Sequence, residues 1–240
     1  MRILIVNDDG KDAVALPHLI RWARKLGDVT CVVPKTEQSG KSQAIDFLHP
    51  VEVKQVAIAP DITVYAMDST PADCVRYGFS GLNATYDLIL SGINRGYNLG
   101  DDIAYSGTVG AIMEGGRLGI PSIALSCDVD TLEPALSLLD AWWDFMNRHR
   151  LLERGLLYNV NFPPSCKGFR VTIPGGKFYS DAFEHRGGDM YLQVGAPVEY
   201  DRCDLSLDMD AIRAGYISIS PMTAVRADMV LFDALKEISE

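Results

Sequence analysis

Long apolar runs and clustered cysteines are both missing from this sequence of 240 residues. No uninterrupted apolar stretch approaches the roughly 20 residues that span a bilayer. Arg2 leads directly into an apolar segment, so we expect no signal peptide and no association with membranes. The five cysteines are scattered, at positions 31, 74, 127, 166 and 203, with no Cys-x-x-Cys spacing. This usage favours reduced thiols in a cytoplasmic protein over a disulfide framework or a zinc site.

Basic residues are fewer than acidic residues in this sequence. The chain has 22 Lys and Arg against 32 Asp and Glu, a net charge of −10. Affinity for long nucleic acids depends on Lys and Arg that neutralise phosphates, so the balance argues against that class of partner. It leaves room for a small phosphorylated substrate, because a bound metal ion supplies positive charge locally.

Several signatures of nucleotide-binding proteins and hydrolases are also absent. The sequence contains no Gly-x-Gly-x-x-Gly, no Walker lysine loop and no Gly-x-Ser-x-Gly elbow. Its four histidines stand in no metal-binding spacing. The pair Asp8-Asp9 lacks the Asp-x-Asp spacing of aspartyl-phosphate phosphatases, which weakens a covalent carboxylate mechanism.

Apolar strands alternate with helical patterns over the first 125 residues, which predicts an α/β fold with a mostly parallel sheet covered on both faces. The predicted strands are Ile3–Val6, Val29–Val33, Val51–Val56, Ile62–Met67, Asp87–Leu90, Ile120–Leu125, Tyr158–Phe162 and Tyr216–Ser220. The predicted helices are Leu16–Leu26, about 70–82, Thr108–Leu118, Leu132–Leu152 and Met229–Ile238. We expect one domain over residues 1–240, with a core to about 165. Short strands and glycine pairs then indicate a β-rich appendage or oligomerisation element over about 166–240.

Two adjacent carboxylates, Asp8 and Asp9, directly follow the first predicted strand. Ligands of open α/β sheets bind at the carboxyl ends of the strands. Two like charges side by side are costly unless a cation or a proton compensates them. A helix N-cap with a first-turn acid would account for one aspartate. The second makes a site for a hard, oxygen-liganded cation the better interpretation.

Two further loops follow predicted strands and are expected at the same edge of the sheet. One contains Ser39 and the other contains Asn94, and each is explained by ordinary turn chemistry if taken alone. Beside two carboxylates, however, their hydroxyl and amide oxygens can complete a hard-cation site. The segment Ser106-Gly107-Thr108 precedes an amphipathic helix, where free backbone N–H groups form a phosphate cradle. A simple Ser or Thr helix cap is the alternative there.

These segments resemble the SurE (survival protein E) metal-dependent nucleotidases. The resemblance covers most of the chain and rests on motifs in the family's order: Asn7-Asp8-Asp9-Gly10, Ser39-Gly40-x-Ser42, Thr70-Pro71-Ala72-Asp73, Ser91-Gly92-Ile93-Asn94, Asn98-Leu99-Gly100 and Tyr105-Ser106-Gly107-Thr108. The chain departs from the family pattern at residues 11–16, at Gln38, at residues 44–46 and at Ser69. None of these departures removes a ligand that the resemblance implies.

The resemblance implies a Rossmann-like core and one divalent cation per subunit, Mn²⁺ or Mg²⁺. Its ligands would be Asp8, Asp9, Ser39 and Asn94. The phosphate site would be lined by Asn98, Ser106, Gly107 and Thr108. The resemblance also implies a homodimer or homotetramer built through the C-terminal extension.

The resulting hypothesis is metal-assisted hydrolysis of a nucleoside 5′- or 3′-monophosphate, with Asp8, Asp9 and Ser106 as catalytic residues. Direct attack by water is preferred, and attack by Ser106 stays open. Two rival hypotheses are a broader acid phosphatase or exopolyphosphatase, and a sensor that binds a nucleotide and a metal without turnover.

Overall fold

The structure, a computed structural model, describes residues 1–198, 203–224 and 229–235. Its strands are β1 (Arg2–Val6), β2 (Asp28–Pro34), β3 (Val53–Ala59), β4 (Ile62–Met67), β5 (Leu88–Arg95), β6 (Ser122–Cys127), β7 (Leu157–Phe162), β8 (Phe169–Val171), β9 (Ala182–His185), β10 (Tyr191–Val194) and β11 (Ile217–Met222). Its α-helices are α1 (Ala15–Ala23), α2 (Pro71–Arg76), α3 (Gly107–Arg117), α4 (Leu132–Arg148), α5 (Leu151–Arg154), α6 (Asp208–Arg213) and α7 (Met229–Leu235). A π-helical turn spans Tyr77–Gly81, and a 3₁₀ turn spans Gly100–Tyr105.

Nine strands form one sheet in the order β3-β4-β2-β1-β5-β6-β7-β11-β8. Its central pairs, from β4–β2 across to β6–β7, are parallel. The pairs β3–β4 and β7–β11 are antiparallel. The prediction of an α/β fold with a mostly parallel sheet is therefore confirmed.

Helices cover both faces of this sheet. Ile3 and Ile5 of β1 pack in a core shared with α1 and α4. Leu4 and Val6 face the opposite way, into a core shared with α2 and α3. All four side chains are fully buried, as expected for a central parallel strand that is covered on both sides.

Part of the C-terminal region belongs to the central sheet, and part of it lies outside that sheet. Strand β11 pairs with β7, and β8 pairs with β11, so the boundary predicted near residue 165 falls between strands of one sheet. Strands β9 and β10 form a separate antiparallel hairpin. Its side chains Phe183 and Tyr191 are exposed, and so is Phe232 of α7. The oligomerisation role of this region stays a prediction.

Two predicted helices differ from the structure, and the end of a third is not tested by it. The single helix predicted over Leu132–Leu152 was wrong, because Arg150 adopts a left-handed conformation with φ of 51° between α4 and α5. The helix predicted over about 70–82 is the short helix α2 followed by the π-helical turn. The predicted end of the last helix, after residue 235, lies outside the described residues. No helix among the described residues is both long and apolar enough to cross a bilayer.

The centre of the sheet gives a direct test of the described core. Leu90 of β5 is fully buried and lies opposite Ile5 of β1 and Ile123 of β6. We expect Leu90→Ala to lower the free energy of unfolding by about 2–5 kcal/mol, because a cavity is left in the core between the sheet and the helices packed on it. Urea denaturation measures the change. The matched control is Leu48→Ala at a position that is 75% exposed, with an expected change of no more than about 0.5 kcal/mol. Equal losses in the two variants would contradict the packing described.

Candidate active site

The candidate site lies at the carboxyl edge of β2, β1 and β5, three adjacent parallel strands. The loops after β1 and β2 contact each other there. The backbone N–H of Gln38 donates to the carbonyl of Asp8 at 2.7 Å, and that of Lys11 donates to the carbonyl of Pro34 at 2.9 Å. Strand β5 continues through residues 91–95, so Asn94 lies at the end of a strand and not in the loop predicted after it.

Asp8 is buried and is held by Thr108, the second residue of α3. The backbone N–H of Thr108 donates to Oδ2 of Asp8 at 3.1 Å, and its hydroxyl donates to Oδ1. Burial raises the pKa of Asp8, whereas both hydrogen bonds from Thr108 lower it. Thr108 therefore orients both oxygens of this carboxyl group and opposes the desolvation of its charge.

This contact requires a glycine at the start of α3. A Cβ atom on Gly107 would lie 2.9 Å from Cβ of Asp8 and 3.0 Å from its Oδ2. Side chains do not tolerate such distances. Gly107 thus allows the helix to begin directly against the end of β1.

Asp9 is half-buried beside Asp8. Its pKa is raised to about 6, first by burial and then by the negative charge of Asp8. Glu37 raises this pKa further, while the backbone N–H and the guanidinium group of Arg95 lower it. Two carboxyl groups and a third acid thus share one end of the sheet, and their mutual repulsion is what a bound cation would relieve.

Ser39 and Asn94 supply neutral oxygens in the same region. The hydroxyl of Ser39 is exposed and donates to Oε1 of Glu37 at 2.7 Å, which leaves its lone pairs to accept or coordinate. The amide nitrogen of Asn94 donates to the carbonyl of Gly96 at 2.7 Å, so the amide oxygen is the atom left to act as a ligand. Glu37 was not predicted from the sequence, although it stands only two residues before Ser39.

The donor set fits a hard divalent cation. It consists of two carboxylates, a hydroxyl and an amide oxygen, the ligand types that Mg²⁺ and Mn²⁺ prefer. Within residues 1–198, 203–224 and 229–235, no group of three or more His, Cys, Asp and Glu is arranged to hold a metal. A metal shell here therefore needs the neutral oxygens of Ser39 and Asn94, and these four ligands stay a prediction.

Three of the residues predicted to bind phosphate lie at the start of α3, and their hydrogen bonds differ. Ser106 is the N-cap of α3, where its Oγ accepts from the backbone N–H of Val109 at 3.1 Å. The N–H of Thr108 is committed to Asp8, so it is not free for an anion. The N–H of Gly107 has no partner among the described residues. It is therefore the amide that the helix start leaves available.

Asn98 is buried in a network of amides. Its Nδ2 donates to Oγ of Ser126 at 2.7 Å, and its carbonyl accepts from the side-chain amides of Asn159 and Asn161 at 2.8 and 2.9 Å. These bonds fix the loop after β5 to the ends of β6 and β7. The predicted contact of Asn98 with phosphate stays a prediction.

Comparison with known proteins matches residues 3–181 to the protein family described as Survival protein SurE. The chain belongs to the SurE family. It is 36% identical to the 5′-nucleotidase SurE of Caldanaerobacter subterraneus subsp. tengcongensis, over 99% of this chain and 96% of that protein. It is 40% identical to the 5′-nucleotidase SurE of Paramagnetospirillum magneticum, over 92% and 89% of the two chains.

The fold of this SurE family member is also similar to a solved structure. The crystal structure of the SurE protein from Aquifex aeolicus matches it with a TM-score of 0.80 and 31% sequence identity, over the whole of both chains. The predicted family and the predicted Rossmann-like α/β fold are both confirmed.

The bond from Thr108 to Asp8 predicts a measurable effect on the metal-free protein. Thr108→Val removes the hydroxyl donor and keeps the shape, so we expect the pKa of Asp8, measured by ¹³C NMR of its carboxyl group, to rise further. The free energy of unfolding should fall by about 1–3 kcal/mol, because a buried acceptor loses a partner. Thr108→Ser, which keeps the hydroxyl, is the control. An unchanged Asp8 pKa in the valine variant would argue against this bond.

The raised pKa of Asp9 predicts a cost to stability. The native carboxyl, with a pKa of about 6, binds its proton more tightly than an unfolded one at 3.8. The free energy of unfolding therefore falls as pH rises between these values and stays low above them. At pH 7.5, metal-free Asp9→Asn should be more stable than the wild type by on the order of 1 kcal/mol, since the shift is partly screened by solvent.

Urea denaturation at two pH values measures this effect. The gain in Asp9→Asn should be smaller at pH 5 than at pH 7.5. Asp12→Asn is the control, because the Asp12 side chain is 82% exposed. A loss of stability in Asp9→Asn at pH 7.5 would mean that its charge is favourable in the native protein.

Proposed function

We propose that this protein is a divalent-metal-dependent 5′-nucleotidase that releases phosphate from nucleoside monophosphates. The observation that carries the proposal is the pair Asp8 and Asp9, which lies at the edge of the sheet against the start of α3. The relatives named 5′-nucleotidase, which match this chain over nearly its whole length, support the same reaction. Hydrolysis of 3′-monophosphates is included in the proposal.

Asp8, Asp9, Ser39 and Asn94 would hold one Mn²⁺ or Mg²⁺ ion per subunit. The raised pKa values of both aspartates support this assignment, because burial removes hydration from their negative charges and a cation would restore what is lost. When bound, such a cation neutralises phosphate oxygens and brings the pKa of a water molecule toward neutrality.

The residues of the chain bind and orient the reacting groups. Thr108 keeps Asp8 fixed and favours its ionised form. The N–H of Gly107, at the positive end of α3, donates to a phosphate oxygen and stabilises the charge that builds up on it. A water molecule attacks phosphorus directly, the bond from phosphorus to the nucleoside oxygen breaks, and a proton from the water passes to that oxygen, so that the products are the nucleoside and phosphate. Ser106 is the alternative nucleophile, but one lone pair of its Oγ already accepts from Val109, which favours water.

The proposal extends to the assembly and location of the protein. Exposed apolar side chains of the β9–β10 hairpin and of α7 support a homodimer or homotetramer built through the C-terminal region. A cytoplasmic location is supported by the five cysteines, all of which are free.

A substrate panel tests the reaction. Phosphate release is measured for 5′- and 3′-nucleoside monophosphates, sugar phosphates and polyphosphate, with Mn²⁺, Mg²⁺ or EDTA. We expect 5′-monophosphates to be hydrolysed with either metal and EDTA to abolish the activity. Asp8→Asn and Asp9→Asn should each lower kcat/KM by more than about 100-fold, because a ligand charge is lost.

The matched control is Asp12→Asn, an acid-to-amide change in the same loop at an exposed position, with activity close to that of the wild type. Undiminished activity in EDTA or in the two aspartate variants would refute the metal site. Preferential release from polyphosphate or sugar phosphates would refute the nucleotidase, and no release at all would refute the enzyme.

A further inference from the structure

Strand β7 carries two buried asparagines on the side of the sheet that faces α3. Asn159 and Asn161 are both fully buried. Since side chains alternate along a strand, they share a face with Leu157, which packs with Val109 of α3, whereas Val160 faces the core on the other side. A strand covered on both faces normally bears apolar residues, and a buried amide is costly unless it is bonded. These two asparagines therefore need an explanation beyond packing.

Both asparagines bond to the backbone of Asn98, in the loop after β5. The side chain of Asn161 bonds to both backbone groups of that residue: its Oδ1 accepts from the N–H at 3.0 Å, and its Nδ2 donates to the carbonyl at 2.9 Å. The Nδ2 of Asn159 donates to the same carbonyl at 2.8 Å. One amide side chain thus gives Asn98 the pair of hydrogen bonds that a residue of a neighbouring strand would supply.

The loop is attached to the protein by other contacts as well. Leu99 is fully buried in a small apolar cluster with Met209 and Ile212, against which Tyr97 packs. The residues on both sides of Asn98 are thus anchored by packing. What the asparagines add is a fixed position and orientation of the Asn98 backbone, and with it the direction of the Asn98 side chain.

The side chain of Asn98 keeps polar groups that the protein does not use. Its Nδ2 donates to Oγ of Ser126 at 2.7 Å. An amide nitrogen has two N–H groups, so one donor remains that no described residue accepts. Its Oδ1 has no partner among the described residues and is not fully buried, so this amide reaches the surface.

The network lies at the same level of the sheet as the predicted cation site. Ser126 of β6 pairs with Asn94 of β5 on one side and with Asn161 of β7 on the other. One row across three strands thus contains a predicted cation ligand, the hydroxyl that bonds to the Asn98 amide, and the amide that bonds to the Asn98 backbone.

We propose that Asn161, assisted by Asn159, is a positioning residue that directs the remaining N–H of the Asn98 side chain toward the substrate phosphate. The inference rests on the proposed nucleotidase function and on the predicted contact of Asn98 with phosphate. The two residues of β7 do not touch the substrate. Their effect passes through the backbone of Asn98, across a separation of 63 positions in the chain from Asn161.

A double-mutant cycle tests whether the effect of Asn161 passes through Asn98. The probe is inorganic phosphate, titrated into the Mg²⁺-loaded protein and followed by ³¹P NMR. Asn98→Ala should raise the dissociation constant of phosphate by at least about tenfold, because a hydrogen bond to a charged group is lost. Asn161→Ala should raise it by at least about threefold, and by less than about twofold in the Asn98→Ala background. The dissociation constant of Mg²⁺ should stay within about twofold, since the predicted cation ligands are unchanged.

The matched control is Thr172→Val, which removes a buried hydroxyl on the other side of β7. Thr172 is 2% exposed, and its Oγ1 lies 2.8 Å from the hydroxyl oxygens of both Ser218 and Ser220 of β11. This variant should lose stability, as Asn161→Ala does, and should keep its phosphate affinity within about twofold of the wild type. A purely structural role of Asn161 would make the two variants alike in phosphate binding.

Three outcomes would overturn the inference. They are an unchanged phosphate affinity in Asn98→Ala, an unchanged affinity in Asn161→Ala, or a loss in Asn161→Ala that recurs in full in the Asn98→Ala background. If Asn161→Ala does not fold, the same cycle is run with Asn159→Ala, which removes one of the two donors to the Asn98 carbonyl. A rise of at least about twofold is then expected, absent in the Asn98→Ala background, and an equal rise in both backgrounds overturns the inference.

The proposed function fails in a different measurement. A wild type that releases phosphate from no nucleotide, yet shows these phosphate affinities, would refute the nucleotidase and leave the positioning role in phosphate binding standing. A wild type that hydrolyses 5′-AMP, with phosphate affinity unchanged in Asn161→Ala, would refute the positioning role alone.

Discussion

The contact between Asp8 and the start of α3 is the constraint on which the candidate site depends. A carboxyl group at the end of a buried strand loses hydration, and its charge must be compensated by the protein or by a ligand. Thr108 compensates part of it through two hydrogen bonds, and Gly107 lets the helix approach closely enough to form them. The same contact sets the distance between the acidic pair and the helix N-terminus. In the function that we propose, a cation at the acidic pair and a phosphate at the helix start meet across this distance.

Most strands and helices are predicted well from the sequence, because the patterns that predict them involve residues close together in the chain. The apolar runs around Ile3–Val6 and Ile120–Leu125, bounded by turn formers, are enough to predict strands. Their alternation with helical patterns predicts a mostly parallel sheet. The cap of α2 is equally local, because Thr70 accepts a hydrogen bond from the backbone N–H of Asp73, three residues later. Elements of this kind depend on neighbours within a few residues, and these neighbours are visible in the sequence.

The details of the site depend on residues far apart in the chain, and they were harder to predict. Nothing in the spacing of Ser106-Gly107-Thr108 indicates that the threonine turns toward an aspartate 100 positions earlier. Asn98 is bonded to Ser126, Asn159 and Asn161, a network that only the folded sheet brings together. The break at Arg150 was missed for a related reason, because a left-handed arginine has no signature of its own in the sequence.

The position of β11 in the sheet has a consequence for how the chain folds. Every element around the acidic pair (β1, β2, β5 and α3) is made by residue 117, whereas β11, the neighbour of β7, begins at residue 217. During synthesis, β7 is therefore an open edge until some sixty later residues have emerged, and an open edge is a template for mispairing with other chains. The elements around the acidic pair are thus synthesised early, whereas the strand that covers the edge of β7 is synthesised late.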